Sequence, residues 1–401
     1  MRVLIDYRPA LRQRSGVGEH THHLVAALLA ARTAAAPSHA IDLTLFSSSW
    51  KDRLVPALEL AGAEIVDRHV PVRMLNFAWH RMGWPPVELL TGGFYDVVHS
   101  PHPLLLPARA AAQVVTIHDL NFLTHPERTS AEIRRDYVPL ARAHAHRADA
   151  VIVPSAYTAG VVETRLGVAR DRIAICPAGA PDWSPRTAAP RDGYVLFFGT
   201  LEPRKNVSGL LDAYEQLLAS PDPFALLNPE GLNTPDGARS VRATVPELVL
   251  AGRATDEARP WLERIDRPPL LGRVRHIGYI DAADRRALYE GARLLVQPSF
   301  DEGFGIPVLE AMSLGVPVVA ANRGALPEVL GDAGSLVDPE SAADIARAIA
   351  RVLTDDPFAA ACARGGIARS RLFRWSETAR LVYDTYIAAI ERRRARMPGR
   401  T

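Results

Sequence analysis

Short apolar runs alternate with longer helical stretches along most of this chain, and that alternation restricts its fold more than any other feature. In the first half the runs fall at 2–6, 41–46, 96–99, 113–118, 150–153 and 173–176. They are almost wholly apolar and rich in β-branched residues. A strand with one wet face alternates polar and apolar positions, whereas a strand covered by helices on both faces reads as one continuous apolar run. Strands of the second kind, interleaved with helices, predict a doubly wound parallel sheet of the α/β class. The pattern halts at residues 176–193, CPAGAPDWSPRTAAPRDG, where four prolines interrupt any periodicity. It then restarts with runs at 194–198, 248–250, 274–277, 294–297 and 316–320. A chain of 401 residues exceeds the usual size of one domain. Two Rossmann-like domains joined by that linker follow as the expectation. Residues 221–246, rich in proline, read as a surface insertion in the second domain.

Composition narrows the function. A net charge of +2 does not suit a dedicated nucleic-acid binder. Cys176 and Cys362 are far apart and lack zinc-ligand spacing, so they read as inert thiols. The opening MRVLIDYRPA is a strand broken by Asp6, not a signal peptide. No run approaches the roughly 18–20 apolar residues of a membrane span. The expected location is cytoplasmic. The basic end, ERRRARMPGR, leaves a peripheral contact at the inner membrane face open, and the oligomeric state is left open too.

Four segments carry candidate chemistry. In RQRSGVGEH, Gly16 and Gly18 precede a helix whose N-terminal N–H groups suit an anion. A tight turn packing helix on sheet explains the same glycines. In GYVLFFGTLEPRKN, a strand ends at Gly199 and Thr200, and the loop beyond it delivers Arg204 and Lys205. That edge of an open α/β sheet is where ligands bind, and two adjacent cations suit a diphosphate. In QPSFDEGFGIPVLEAMSLGVPVVA, Glu302 sits in a glycine-rich loop and Glu310 on the helix that follows, entered at Ile306 and Pro307. The N–H groups of Gly303, Phe304 and Gly305 suit a sugar phosphate, and each carboxylate can accept hydroxyl groups. In VVTIHDLNFLTHPE, His118 and Asp119 end a buried strand and face the sheet edge.

These four segments, in this order, resemble the GT-B glycosyltransferases of family 4, the group 1 glycosyl transferases. The resemblance spans roughly residues 1–390. Its most specific element is the pair of glutamates with seven residues between them, Glu302 and Glu310. HDLNFLTHP is similar to bacterial mannosyltransferases of O-antigen and exopolysaccharide assembly. The resemblance implies a GT-B fold whose two parallel sheets face a central cleft. It places an N-terminal acceptor domain at 1–190, joined by a last helix at about 376–401, and a donor domain at 191–375. It implies a retaining hexosyltransferase that uses a nucleotide sugar, GDP-mannose first, and needs neither metal nor other cofactor. The acceptor would be a saccharide or a lipid-linked saccharide. Arg204 and Lys205 would hold the diphosphate, Glu310 the ribose and Glu302 the sugar hydroxyls. Tyr279 and Ile280 would lie at the base, with Ile306 and Leu309 lining the donor. His118 and Asp119 would approach the sugar, Gly16 and Gly18 the phosphate or the acceptor, and Ser155 the cleft. A sugar-nucleotide epimerase of the same architecture and a non-catalytic nucleotide-sugar binder remain alternatives. An NAD-dependent oxidoreductase fits less well, because the first glycine segment lacks a third glycine and an acidic partner.

Overall fold

The structure, a computed structural model, describes residues 1–11, 14, 16–34, 41–50, 53–54, 58–124, 137–220 and 245–397. Residues 221–244, nearly all of the expected insertion, lie outside this set. The chain forms two compact units. One holds Met1–Gly179 and the chain from Phe373 onward, and the other holds Ala180–Leu372.

The first unit is built on seven parallel strands: β1 (Arg2–Asp6), β2 (Asp42–Ser48), β3 (Glu64–Arg68), β4 (Val97–Ser100), β5 (Ala112–Thr116), β6 (Ala150–Val153) and β7 (Ile173–Ile175). Their order across the sheet is β3-β2-β1-β4-β5-β6-β7. Six of these strands match expected runs to within one or two residues. The seventh, β3, was not expected. It is an edge strand paired only with β2, and Glu64, Asp67 and Arg68 break its apolar character. β1, β4, β5 and β6 feed one core through Val3, Ile5, Val97, Val114 and Ile152. The helix Trp375–Arg396 closes that core with a stripe at Ala379, Val382, Tyr386 and Ala389. Tyr386 Oη lies 2.7 Å from His99 Nδ1, and His99 Nε2 lies 2.8 Å from Thr116 Oγ1. The buried ring of β4 therefore has both nitrogens hydrogen-bonded.

The second unit has six parallel strands: β8 (Tyr194–Phe198), β9 (Leu248–Ala251), β10 (Val274–Gly278), β11 (Ala292–Gln297), β12 (Val318–Ala321) and β13 (Ser335–Val337). Their order is β10-β9-β8-β11-β12-β13. β12 begins two residues later than expected, because the Val316 N–H goes back to Ala311 O at 2.9 Å and Pro317 has no N–H to give. β13 is an unexpected three-residue edge strand. The proline-rich segment, expected as a linker over residues 176–193, belongs to this unit from Ala180 onward. Its attachments explain the shift. Trp183 packs 6.1 Å from the Tyr289 ring, the Arg186 N–H donates to Leu314 O at 3.2 Å, and the Arg186 guanidinium donates to the Ala292 and Gly315 carbonyls. Among the described residues, no helix is long and apolar enough to cross a membrane.

Candidate active site

In the second unit the chain starts at the centre of the sheet with β8, runs outward through β9 and β10, then returns to lay β11 on the other side of β8. The order reverses between β8 and β11. Because all strands are parallel, the loops that follow these two neighbours emerge side by side at the carboxyl edge, the crevice position of open α/β sheets.

The loop after β8 passes Gly199, Thr200 and Leu201, then makes one tight turn over Pro203–Lys205. Asn206 ends that turn in the left-handed region, at φ 56°, and caps the helix Val207–Ala219 by accepting the Gly209 N–H at 3.2 Å. The Asn206 amide nitrogen donates to the Pro298 and Pro339 carbonyls. The Phe300 N–H donates to Arg204 O at 2.8 Å. These bonds seat the basic turn on the loop that follows β11, and so bring Arg204 and Lys205 to Glu302.

Glu302 is buried, and its carboxylate accepts from four donors. Oε1 accepts from Ser299 Oγ at 2.8 Å, from Gln297 Nε2 at 3.0 Å and from Lys205 Nζ. Oε2 accepts from Arg204 Nη1 at 3.2 Å. Arg204 also pairs with Glu202 at 2.7 Å. Burial opposes ionisation of Glu302, but Lys205, Arg204 and the Ser299 hydroxyl outweigh it and hold the carboxyl down at about 2. At neutral pH this is a carboxylate paired with two adjacent cations, one of which also has Glu202 as a partner.

Beyond Glu302 the loop runs through Gly303 and Phe304 to Gly305, which precedes the helix Ile306–Ser313 at φ 110°. A Cβ on Gly305 would lie 2.8 Å from the Leu326 side chain, so both backbone angle and space favour glycine. Phe304 and Leu309 are buried and Ile306 half-buried. Glu310 lies on this helix, 5% exposed. Its oxygens accept from Arg285 Nη1 at 2.9 Å and from Tyr289 Oη at 2.8 Å. Tyr279 and Ile280 follow β10 at the same sheet edge, two strands from β8, and are half-buried.

The remaining predicted residues belong to the first unit. Gly16 and Gly18 do not precede a helix as expected. Gly16 opens the helix Gly16–Ala34 and Gly18 lies in its first turn. A Cβ on Gly18 would come within 2.6 Å of Pro9 O, so this glycine lets the helix pack on the Arg8–Ala10 turn. His118 follows β5, with Nε2 3.2 Å from Pro101 O. Its ring meets His20 edge to face at 4.7 Å. Burial pushes the His118 imidazole down to about 4, so it is neutral at physiological pH. Asp119 accepts the Asn121 N–H at 3.2 Å, and Ser155 caps the helix Ala156–Val161 by accepting the Thr158 N–H at 3.0 Å.

The structure therefore joins Arg204, Lys205 and Glu302 directly. Gly303, Phe304, Gly305, Ile306, Leu309 and Glu310 continue the same segment, while Gly16, Gly18, His118 and Asp119 stand in the other unit. Sequence reasoning missed the supporting shell of Gln297, Ser299, Asn206, Arg285 and Tyr289. Gln297 and Ser299 had a signal, being polar residues that end an apolar strand just before an acidic loop. Among the described residues, no group of three or more His, Cys, Asp or Glu side chains could hold a metal ion.

Known proteins share this architecture. The family model of glycosyl transferases group 1 matches residues 182–369, and that of glycosyltransferase family 4 matches residues 14–182. O-antigen chain mannosyltransferase B of Escherichia coli is 28% identical over 96% of this chain and 99% of its own length. Among solved structures, sucrose-phosphate synthase (tll1590) from Thermosynechococcus elongatus superposes with a TM-score of 0.72 at 21% identity, covering 96% of this chain and 98% of its own. Anabaena Alr3699/HepE, solved in complex with UDP and glucose, gives a TM-score of 0.66 at 19% identity, with 96% and 98% covered.

Proposed function

Because this chain belongs to the group 1 glycosyltransferases of family 4, with a GT-B fold of two Rossmann-like domains, we propose that it moves a hexose from a nucleoside diphosphate sugar to a hydroxyl of a saccharide or lipid-linked acceptor, with retention. GDP-mannose is the donor we favour, supported by the similarity to an O-antigen mannosyltransferase. The observation that carries the reading is the cluster of half-buried Arg204 with buried Lys205 and Glu302 at the β8/β11 switch point.

In this reading the donor's diphosphate takes the two cations and Glu302 turns to the hydroxyls of the transferred sugar. Glu310 accepts the ribose hydroxyls, and Gly303–Ile306 bring backbone N–H groups to the sugar. Tyr279 and Ile280 border the base, and Gly199, Thr200 and Leu309 line the same donor pocket. As the bond from the anomeric carbon to oxygen breaks, its electron pair moves onto the β-phosphate. Arg204, Lys205 and the N–H dipoles stabilise that growing charge. The acceptor oxygen bonds the anomeric carbon on the face the phosphate leaves, and its proton passes to the departing phosphate oxygen. In this reading no metal ion takes part. From the first unit, neutral His118 is proposed to hydrogen-bond the transferred sugar beside Asp119, with Gly16 and Gly18 near phosphate or acceptor. The basic C-terminal end remains a candidate for peripheral membrane contact.

The test is incubation with GDP-mannose, and in parallel UDP-glucose, with and without mannan fragments or a lipid-linked saccharide. We expect nucleotide release that depends on acceptor, survives EDTA and yields an α-linkage by NMR. Conversion of the donor sugar without acceptor would favour an epimerase. Absence of any thermal shift with GDP or UDP would overturn the donor site.

A further inference from the structure

Glu310 is gripped from one side by a single helix. Arg285 and Tyr289 lie four residues apart on the helix Ala282–Glu290, and therefore on one face of it. Each takes a different carboxylate oxygen, Arg285 Nη1 reaching Oε1 and Tyr289 Oη reaching Oε2. All three side chains are buried, Tyr289 completely. Phe198, at the end of β8, packs against both donors. Its ring lies 5.6 Å from the Arg285 guanidinium carbon and 5.7 Å from the Tyr289 ring, nearly perpendicular to it. Trp183 packs against Tyr289 as well. The clamp is thus itself packed by two aromatic neighbours.

A buried carboxylate without a cation would take up a proton or pull in water. A glutamate with unrestrained torsions would also have to be ordered when a ligand arrives, which weakens binding. Arg285 removes the first difficulty. Pinning both oxygens removes the second, because two fixed points set the carboxylate plane and the directions in which it accepts further donors. We infer that Arg285 and Tyr289 are positioning residues that hold Glu310 pre-oriented for the vicinal hydroxyls of the donor's ribose, so that this helix sets the preference for ribonucleotides. The inference rests on the reading that Glu310 takes the ribose.

The test is calorimetric titration of the full chain with GDP and with 2′,3′-dideoxy-GDP. Tyr289→Phe keeps the ring and its packing, and circular dichroism checks that the fold is kept. The variant is expected to weaken GDP roughly tenfold, the effect of losing one hydrogen bond to a charged group, and the dideoxy analogue less than twofold. Arg285→Met should show the same selectivity with a larger loss of GDP. Equal losses for both nucleotides in both variants, with Glu310→Gln still selective against GDP, would overturn the positioning role alone. A Glu310→Gln variant that binds both nucleotides as the parent does would overturn the ribose site and this inference with it.

Discussion

Replacing Glu302 by glutamine should make the empty protein less stable while making it grip diphosphate harder. The carboxyl sits at about 2 against an ordinary 4.5 because Lys205 and Arg204 surround it despite burial. A difference of that size corresponds to about 3 kcal/mol at neutral pH, which is also the order of cost for breaking a buried ion pair on one side. For a unit of this size, about 3 kcal/mol lowers the melting temperature by roughly 6–12 °C. The sign with pH is fixed. Since the folded value lies below the unfolded one, the contribution is full above about 4.5 and disappears as pH falls toward 2. The difference between parent and variant should close over that window. Glu302→Gln leaves a single carboxylate, Glu202, beside the two cations, so GDP then supplies the missing charge. The thermal shift it produces should exceed the parent's, even as sugar transfer is lost for want of the carboxylate. Differential scanning fluorimetry at pH 7, with and without GDP, measures both terms. A variant that melts within a degree of the parent and responds to GDP equally would refute the claim that Glu302 neutralises the basic turn.

Lys205→Met should lower turnover at saturating donor by roughly a hundredfold, the order expected for removing one transition-state donor, and unchanged turnover in a steady-state assay would refute its role. Burial pushes His99 down to about 3 and His118 to about 4, and drives His20 well below its ordinary 6.5. Because these folded values are depressed, the unfolded chain binds the extra protons. Stability of the first unit therefore falls as pH drops from 6.5 toward 4, by about 2 kcal/mol per group at pH 5. Hydrogen exchange at pH 5 and 7 should show the first unit loosening more than the second, and equal loosening would refute this. A Cβ on Gly252 would come within 1.9 Å of Gly199 O, at a φ of 136°. Gly252→Ala should cost about 3 kcal/mol and weaken GDP binding by displacing the loop that leads to Arg204, and denaturant unfolding with calorimetry checks both effects.

The fold was legible because strands buried on both faces leave a compositional mark that helices between them do not blur. β1, β6 and β8 end where their apolar runs end. The mark fails at sheet edges. β3 pairs on one side only and tolerates Glu64, Asp67 and Arg68, and β13 is too short to form a run. The first glycine segment was read one turn out of place. The sequence shows that glycines occur there, but Gly18 answers to the Pro9 carbonyl, which only packing reveals.

The site was legible residue by residue and not as a contact. Arg204, Lys205 and Glu302 were separately identifiable as charges on loops at strand ends. Their meeting depends on β8 and β11 being neighbours although two strands intervene in the chain, which is a property of topology. What the contact adds is a reason for the charges to be buried at all. A hydrophobic filling of similar volume is often at least as stable as a buried ion pair, so stability alone does not account for the cluster. Two cations held close together and away from water attract a diphosphate strongly and cost little to reorganise when it arrives. Without a carboxylate among them they would destabilise the empty fold. Glu302 fills that gap with a group that can also accept sugar hydroxyls, so in the proposed reading the residue that stabilises the empty site has chemistry to perform once the phosphate takes its place. Arg285 and Tyr289 perform the corresponding duty for Glu310: like Glu302 it is held on both oxygens by the protein itself, and in the proposed reading that sets its acceptor geometry before any nucleotide arrives.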